Sequence, residues 1–206
     1  MSEKVVVRDL SLRDLDEVVR IHTSAFPRSA LTRLGAEAVR RYYRWLIEGP
    51  HQAVRAGAFV GVDIVGFCFS GVFKGAMSGF LRANQAYLCL RVLTRPWIAT
   101  NSIFRNRALR AIRILTRKNK RERRIDVPRP TFGILAIAVD PNRQGLGVGK
   151  VLMQQSEEVA RKNAFREMSL TVSPSNHRAI TFYEGLHWVR VAANGSWQGA
   201  MKKALD

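Results

Sequence analysis

The chain has 206 residues, 47% of them apolar, which suits one globular domain with a full core and excludes a disordered polypeptide. The formal net charge is +18, and the excess is regional: residues 72–130 hold fifteen Lys or Arg against two acids, Glu122 and Asp126. Cys68 and Cys89 show neither CxxC spacing nor a neighbouring His cluster, which argues against a zinc site. The segment Met1–Leu10 carries Glu3, Lys4, Arg8 and Asp9 instead of an apolar signal core, and no uncharged run reaches the roughly 20 residues of a membrane span, so a cytoplasmic, reducing location is expected.

Val5–Val7 is a β-branched run that predicts a strand, followed by a turn over Asp9–Ser11. Asp14–Ala25 has helical spacing of Leu15, Val18, Val19 and His22, and Phe26-Pro27 ends it. Ala36–Glu48 predicts a second helix through Val39, Tyr42, Tyr43 and Leu46, with Gly49-Pro50 as its stop. Ala53–Val60 and Val62–Gly71 read as a hairpin about Gly61. The stretch 72–130 breaks this rhythm. Within it, Ile103–Lys118 has a helical two-faced pattern, with Phe104, Ala108, Ala111, Ile112 and Leu115 opposite Arg110, Arg113 and Arg117, before the basic run Lys118–Arg124.

Thr131–Val139 predicts an apolar strand and Asp140-Pro141-Asn142 a turn. A helix opening at Gly147 or Gly149 and reaching about Asn163 has Val151, Leu152, Gln155 and Val159 as its expected inner row. Met168–Val172 predicts a strand, and Ser175 can cap a helix to Glu184. Val189–Ala192 and Gln198–Lys203 pair across Asn194-Gly195. The order β-α-α-β-β-(insert)-β-α-β-α-β-β mixes hairpins with one crossover, which implies an α/β fold on a mixed sheet with helices on both faces.

Gln144-Gly145-Leu146-Gly147-Val148-Gly149-Lys150 joins a strand to a helix. Glycines there can expose successive backbone N–H groups at a helix N-terminus, a phosphate-binding arrangement. The spacing fits neither the GxGxxG dinucleotide fingerprint nor the P-loop, and a plain turn with glycines for tight packing is the other reading.

The run Val139-Asp140-Pro141-Asn142-Arg143-Gln144-Gly145-Leu146-Gly147-Val148-Gly149 resembles the acyl-CoA-binding motif of the GNAT superfamily of N-acetyltransferases. Downstream, Leu170-Thr171-Val172 followed by Asn176, Ala179, Phe182 and Tyr183 resembles that superfamily's strand and Asn-x-x-Ala-x-x-Phe-Tyr pattern. The resemblance covers Thr131–Val191 well and Val5–Gly71 loosely. It implies a GNAT-like fold over residues 1–206, with 72–130 a basic helical insertion between the third and fourth strands. Where the superfamily has Gly-Phe after the Tyr, this chain has His187-Trp188.

The resemblance further implies transfer of an acetyl or other acyl group from acetyl-CoA to a primary amine by direct attack, with no metal. The backbone from Ile137 to Val139 would pair with the pantetheine arm. Gln144, Gly145, Leu146, Gly147, Val148, Gly149 and Lys150 would take the pyrophosphate. Asn176 would either bond the cofactor or cap its helix. Tyr183 is the candidate general acid, because a neutral phenol can protonate a departing thiolate; a core tyrosine beside Phe182 is the alternative. No carboxylate or His in Thr131–Val139 offers a general base, which leaves His22, or a water held by Ser173.

Phe80, Leu81, Tyr87, Leu88, Leu90, Val92, Leu93, Trp97 and Ile98 lie among spaced arginines. This suggests amphipathic helices over 72–120 resting on an anionic membrane at its inner face; packing of the apolar side on the domain, or on a second subunit in a homodimer, is the alternative. A nucleic-acid- or ribosome-associated acetyltransferase ranks lower, since Lys118–Arg124 lacks interleaved aromatics. A non-catalytic acyl-CoA-binding regulator is the remaining class. Ala25–Gly35 with the basic insert resembles acetyltransferases encoded with bacterial surface-polysaccharide enzymes, which implies an amino sugar or envelope precursor as acceptor.

Overall fold

The computed structural model describes residues 4–73, 75–94, 131–192 and 195–205. They fall into two compact units, one helical, whose described residues are 11–51 and 75–94, and one built on a sheet, whose described residues are 4–10, 52–73, 131–192 and 195–205.

The helical unit opens with a capping box. Ser11 accepts from Arg13 N, and Asp14 Oδ2 accepts from Ser11 N at 2.8 Å, so the first turn keeps its donors satisfied. Helix α1 (Leu15–Ala25) follows and stops before Pro27. Helix α2 (Ala30–Leu34) is too short for periodicity to reveal; it forms because Ser29 Oγ accepts from Thr32 N at 3.0 Å. Helix α3 (Ala36–Glu48) has the expected bounds and buries Ala38, Val39, Tyr42, Tyr43 and Leu46 on one face. Within the stretch between the third and fourth strands, α4 (Ala76–Ala83) and α5 (Gln85–Leu93) are helical. Trp45 Nε1 donates to Ala76 O at 2.8 Å, and the Phe80 ring meets Tyr42 edge-on at 5.3 Å, which fastens α4 to α3. The helix expected over Ile103–Lys118 and the basic run to Arg124 lie outside the described residues.

The sheet unit contains β1 (Val5–Asp9), β2 (Gln52–Val60), β3 (Asp63–Val72), β4 (Phe132–Val139), β5 (Glu167–Thr171), β6 (Val189–Arg190) and β7 (Ala200–Ala204). They form one seven-stranded sheet in the order β1-β2-β3-β4-β5-β7-β6. Every neighbouring pair is antiparallel except β4 with β5, so the sheet is mixed, as the element order implied.

Helix α6 (Val148–Lys162) is the crossover between the parallel strands and packs on β2, β3 and β4. Its buried row is Val148, Leu152, Ser156 and Ala160, with Met153 and Glu157 beside it; Val151, Gln155 and Val159 are only half-buried. Of the expected inner row Leu152 is fully buried, and the other three positions give way to the residue that follows each. The reason is Ser156, whose hydroxyl is buried because it accepts from Ser70 Oγ at 3.1 Å and donates to Leu152 O at 3.0 Å. Helix α7 (His177–Glu184) is capped by Asn176, whose Oδ1 accepts from Ala179 N at 3.2 Å; Ser175, the expected cap, instead bonds Ser173 through the hydroxyls at 2.9 Å. The β6–β7 pair forms in the expected place, with Val189 opposite Lys202.

Candidate active site

Strand β4 has two neighbours at its start and one at its end. Pairing with β5 runs from Phe132↔Met168 to Ile134↔Leu170 and stops there, although β4 continues to Val139. On the other side, Phe69 pairs with Ala136 and Ser70 with Ile134, so Leu135 is an extra residue in β4. Such a bulge bends and twists its strand. The bend falls where β5 and β4 part company. From Leu135 to Val139 no described strand pairs with the β5 side of β4, so that side offers main-chain donors and acceptors to an extended, amide-bearing ligand. Ile137 and Val139 lie on this segment.

The chain then enters the glycine loop. Asp140 Oδ1 accepts from Asn142 N at 2.9 Å and Pro141 starts a single 3₁₀ turn, which fixes the exit from β4. Gln144 Nε2 reaches back to Val139 O at 3.4 Å, tying loop to strand end. Gly145 and Gly147 have φ of +87° and +76°, and a Cβ on either would meet no protein atom within 4 Å. Glycine is required here by the left-handed backbone, and the space in front of it is open. Gly149 differs, since its Cβ would lie 3.2 Å from Phe182 Cζ.

Gly147 caps α6 with no side-chain hydrogen bond, and the first turn holds no acid. The first intrahelical bond to Gly147 O comes from Val151 N at 3.1 Å. The N–H groups of Val148, Gly149 and Lys150 therefore leave the helix start without intrahelical acceptors, at the positive end of the helix dipole. Exposed Lys150 adds a full positive charge. Leu146 is 61% exposed, an apolar side chain held out over the loop. The arrangement fits an oligophosphate in charge, donor count and space.

Tyr183 lies on α7, one residue beyond Phe182. Its ring is buried against Phe182 and Trp188, at centroid distances of 5.3 and 6.2 Å. Its hydroxyl meets no hydrogen-bonding partner among the described residues. Burial, and after it the nearby Cys68 thiol, hold the phenol above its ordinary range, so it stays a neutral proton donor at physiological pH. Cys68 faces Ile137 across the β3–β4 ladder, which links the Tyr183 environment to the open strand. The Cys68 thiol is itself buried and pushed up to about 12 by desolvation. Sequence reasoning missed the Cys68–Ser70–Ser156 cluster; the signal was present as small polar residues alternating with Phe67 and Phe69 in an otherwise apolar strand.

His22 is not a free base. It is buried in the helical unit, with Nδ1 at 2.8 Å from Tyr43 Oη and Nε2 at 3.3 Å from Ser29 Oγ. Ser29 spends its hydroxyl proton on Thr32 Oγ1, 2.9 Å away, so Nε2 must be the donor and Nδ1 the acceptor. Desolvation lowers the His22 pKa to about 4, which keeps the ring neutral. Asn176 commits its Oδ1 to the cap of α7, and Ser173 bonds Ser175. Among the described residues, no group of three or more His, Cys, Asp or Glu comes together to hold a metal, and no helix is long and apolar enough to cross a membrane.

The sequence model described as the Acetyltransferase (GNAT) family matches residues 15–188. The chain belongs to this family. Among solved structures, the GNAT fold is shared with the PaiA N-acetyltransferase of Thermoplasma acidophilum in complex with coenzyme A, at TM-score 0.59 and 13% identity over 98% of this chain and 99% of that one. The putative acetyltransferase yncA of Salmonella typhimurium, with its cofactor acetyl-CoA, gives 0.56 and 15% over 98% and 94%. A mycothiol acetyltransferase of Geodermatophilus obscurus is 32% identical over 73 residues, 35% of this chain. Its counterpart from Thermomonospora curvata is 34% identical over 71 residues. Each match spans only 24% of the relative's length.

Proposed function

We propose that this GNAT-family chain transfers the acetyl group of acetyl-CoA to a primary amine, acting as one acyltransferase domain with 72–130 as an insertion. The observation that carries the reading is the open edge of β4 beyond Ile134, running directly into an uncapped helix start behind two left-handed glycines. The pantetheine arm lies along Ile137–Val139 as an added strand, and the pyrophosphate sits on the loop from Gln144 to Lys150. Coenzyme A and acetyl-CoA in two proteins of the same fold support this placement.

The neutral amine attacks the thioester carbonyl. The C–N bond forms, the C–S bond breaks, and the thiolate takes a proton from Tyr183. Main-chain N–H groups on the free side of β4 can stabilise negative charge developing on the carbonyl oxygen. With both ring nitrogens of His22 engaged by Tyr43 and Ser29, the amine proton leaves through water. The acceptor class is an amino sugar or envelope-precursor amine, a reading that rests on the sequence resemblance at Ala25–Gly35.

Calorimetry with acetyl-CoA on the wild type and on Gly147→Glu tests the donor site. Micromolar binding that the variant loses supports it, because the new carboxylate and its left-handed backbone fall where the pyrophosphate sits. A folded wild type that binds no acetyl-CoA overturns the reading. Release of free thiol in an amine screen separates an enzyme from an acyl-CoA-binding regulator.

A further inference from the structure

Gly133 in β4 is a glycine that the fold does not require. Its backbone is not left-handed. Among the described residues, the atoms nearest an added Cβ would be Ser169 O at 3.6 Å, Ser169 Oγ at 3.8 Å and Gly71 O at 3.9 Å, all ordinary contacts. Alanine would therefore fit, and a glycine inside a strand gives up the side-chain packing that stabilises strands. Gly71, its partner on β3, differs: φ there is +134°, and a Cβ would collide with Gln52 O. On its other side Gly133 pairs with Ser169 of β5. The gap left at Gly133 thus has a cause outside the strand's own packing, and mid-strand glycines mark places where a ligand or another backbone comes close.

The face on which this gap opens follows from the apolar cluster. Phe132, Ile134, Ile137 and Val139 of β4 pack in it with Leu152 of α6 and Tyr183 of α7. Their spacing changes from two to three at the bulge. Gly133, Leu135 and Ala136 therefore lie on the opposite face, turned away from Tyr183. Leu135 is 37% exposed, an apolar side chain standing beside the gap.

The open edge of β4 runs from Val139 back to Leu135, roughly 13 Å at strand rise, a run that an extended pantetheine arm covers. At Ile134 the pairing with Leu170 closes the edge, so a thioester that reaches this point must leave the plane of the sheet. The Tyr183 side is filled by the core cluster, and the other side offers the gap at Gly133. We propose that the acyl group of the donor lies over Gly133, walled by Leu135 and Ser169, and that Gly133 and Leu135 restrict the donor to acetyl over longer acyl groups. The gap is the size of a missing side chain, and an apolar wall rejects added methylenes by steric contact. This inference rests on the acyl-CoA reading of the open edge and adds to it the residues that set acyl length.

Calorimetry with CoA, acetyl-CoA and butyryl-CoA on the full chain tests it, because CoA reports the donor site without an acyl group. The wild type is expected to bind butyryl-CoA about ten-fold more weakly than acetyl-CoA, and Leu135→Ala to bring the two within about two-fold. Gly133→Ala puts a methyl into the gap and should weaken acetyl-CoA about ten-fold while CoA binds as before. Urea unfolding of Gly133→Ala should show no loss of stability, since its Cβ makes only ordinary contacts. CoA bound equally by all three proteins, with the acetyl-to-butyryl ratio unchanged in Leu135→Ala, overturns this inference and leaves the donor site standing. So does a wild type that binds both thioesters alike, or a marked loss of stability in Gly133→Ala, which would assign the glycine to packing. A folded wild type that binds no CoA overturns the donor-site reading and this inference with it.

Discussion

Gly149 on α6 faces the ring of Phe182 on α7 so closely that a Cβ added to the glycine would lie 3.2 Å from Phe182 Cζ. The last glycine of the loop and the aromatic of the downstream motif are thus one contact, and it seats the helix that carries Tyr183. Each motif therefore shapes the other's position in this chain. Gly149→Ala gains helix propensity of up to ~1 kcal/mol and loses a similar amount as the ring gives way, leaving stability near the wild type. Gly149→Val overfills the gap and is expected to cost ~1–3 kcal/mol in urea unfolding, with weaker acetyl-CoA binding by calorimetry. An unchanged Gly149→Val would mean that α7 moves freely against α6.

His187 has φ of +66°, a left-handed conformation unusual for a residue with a Cβ, at the position where the superfamily pattern has glycine. Its N–H bonds Glu184 O at 2.9 Å and the next N–H bonds Tyr183 O at 3.1 Å, so the turn is kept even though the residue is strained. His187→Gly is expected to raise unfolding stability by up to ~1 kcal/mol in denaturant titration, with little change in acetyl-CoA affinity. A loss of stability would show that the imidazole makes a compensating contribution.

Most of the sheet, α1, α3 and the two motifs were legible in the sequence because each has a strong local cause: β-branched runs, three-to-four spacing, and Pro or Gly stops. What could not be read depends on long-range contacts. Ser156 looks like a surface residue until Ser70 and Cys68 arrive beneath it, and so the buried row of α6 is displaced. The bulge at Leu135 leaves no trace in an unbroken apolar run, yet it coincides with the point where β5 pairing ends and the edge of β4 opens. The apolar residues of α5 were visible, but which of them are covered depends on Leu34 and Ala38, about fifty residues earlier in the chain.

His22 gives the helical unit a pH dependence of definite sign. Its pKa is lowered by desolvation to about 4 from an ordinary 6.5, so between these values the unfolded chain binds more protons than the folded one. The contribution is complete above pH 6.5 and is lost as pH falls toward 4, by up to ~3 kcal/mol. His51 is shifted the same way and contributes a background. Urea titrations at several pH values should therefore show a steeper acid loss for the wild type than for His22→Gln. Parallel curves would mean that the ring is charged in the folded protein.

Tyr183→Phe separates catalysis from packing because the hydroxyl has no hydrogen-bonding partner among the described residues, while the ring is buried against Phe182 and Trp188. Removing the oxygen deletes no internal bond and leaves the ring in place, so thermal unfolding should match the wild type closely. If the phenol protonates the departing thiolate, kcat should fall by ~10²–10⁴ with acetyl-CoA affinity unchanged. Calorimetry and a thiol-release assay on the same preparation give both numbers. A variant that keeps nearly full kcat would assign the proton to solvent and leave Tyr183 as a core aromatic, while a parallel loss of affinity would place its hydroxyl in donor binding. The three results differ in which constant moves, so a change in activity alone would not decide among them.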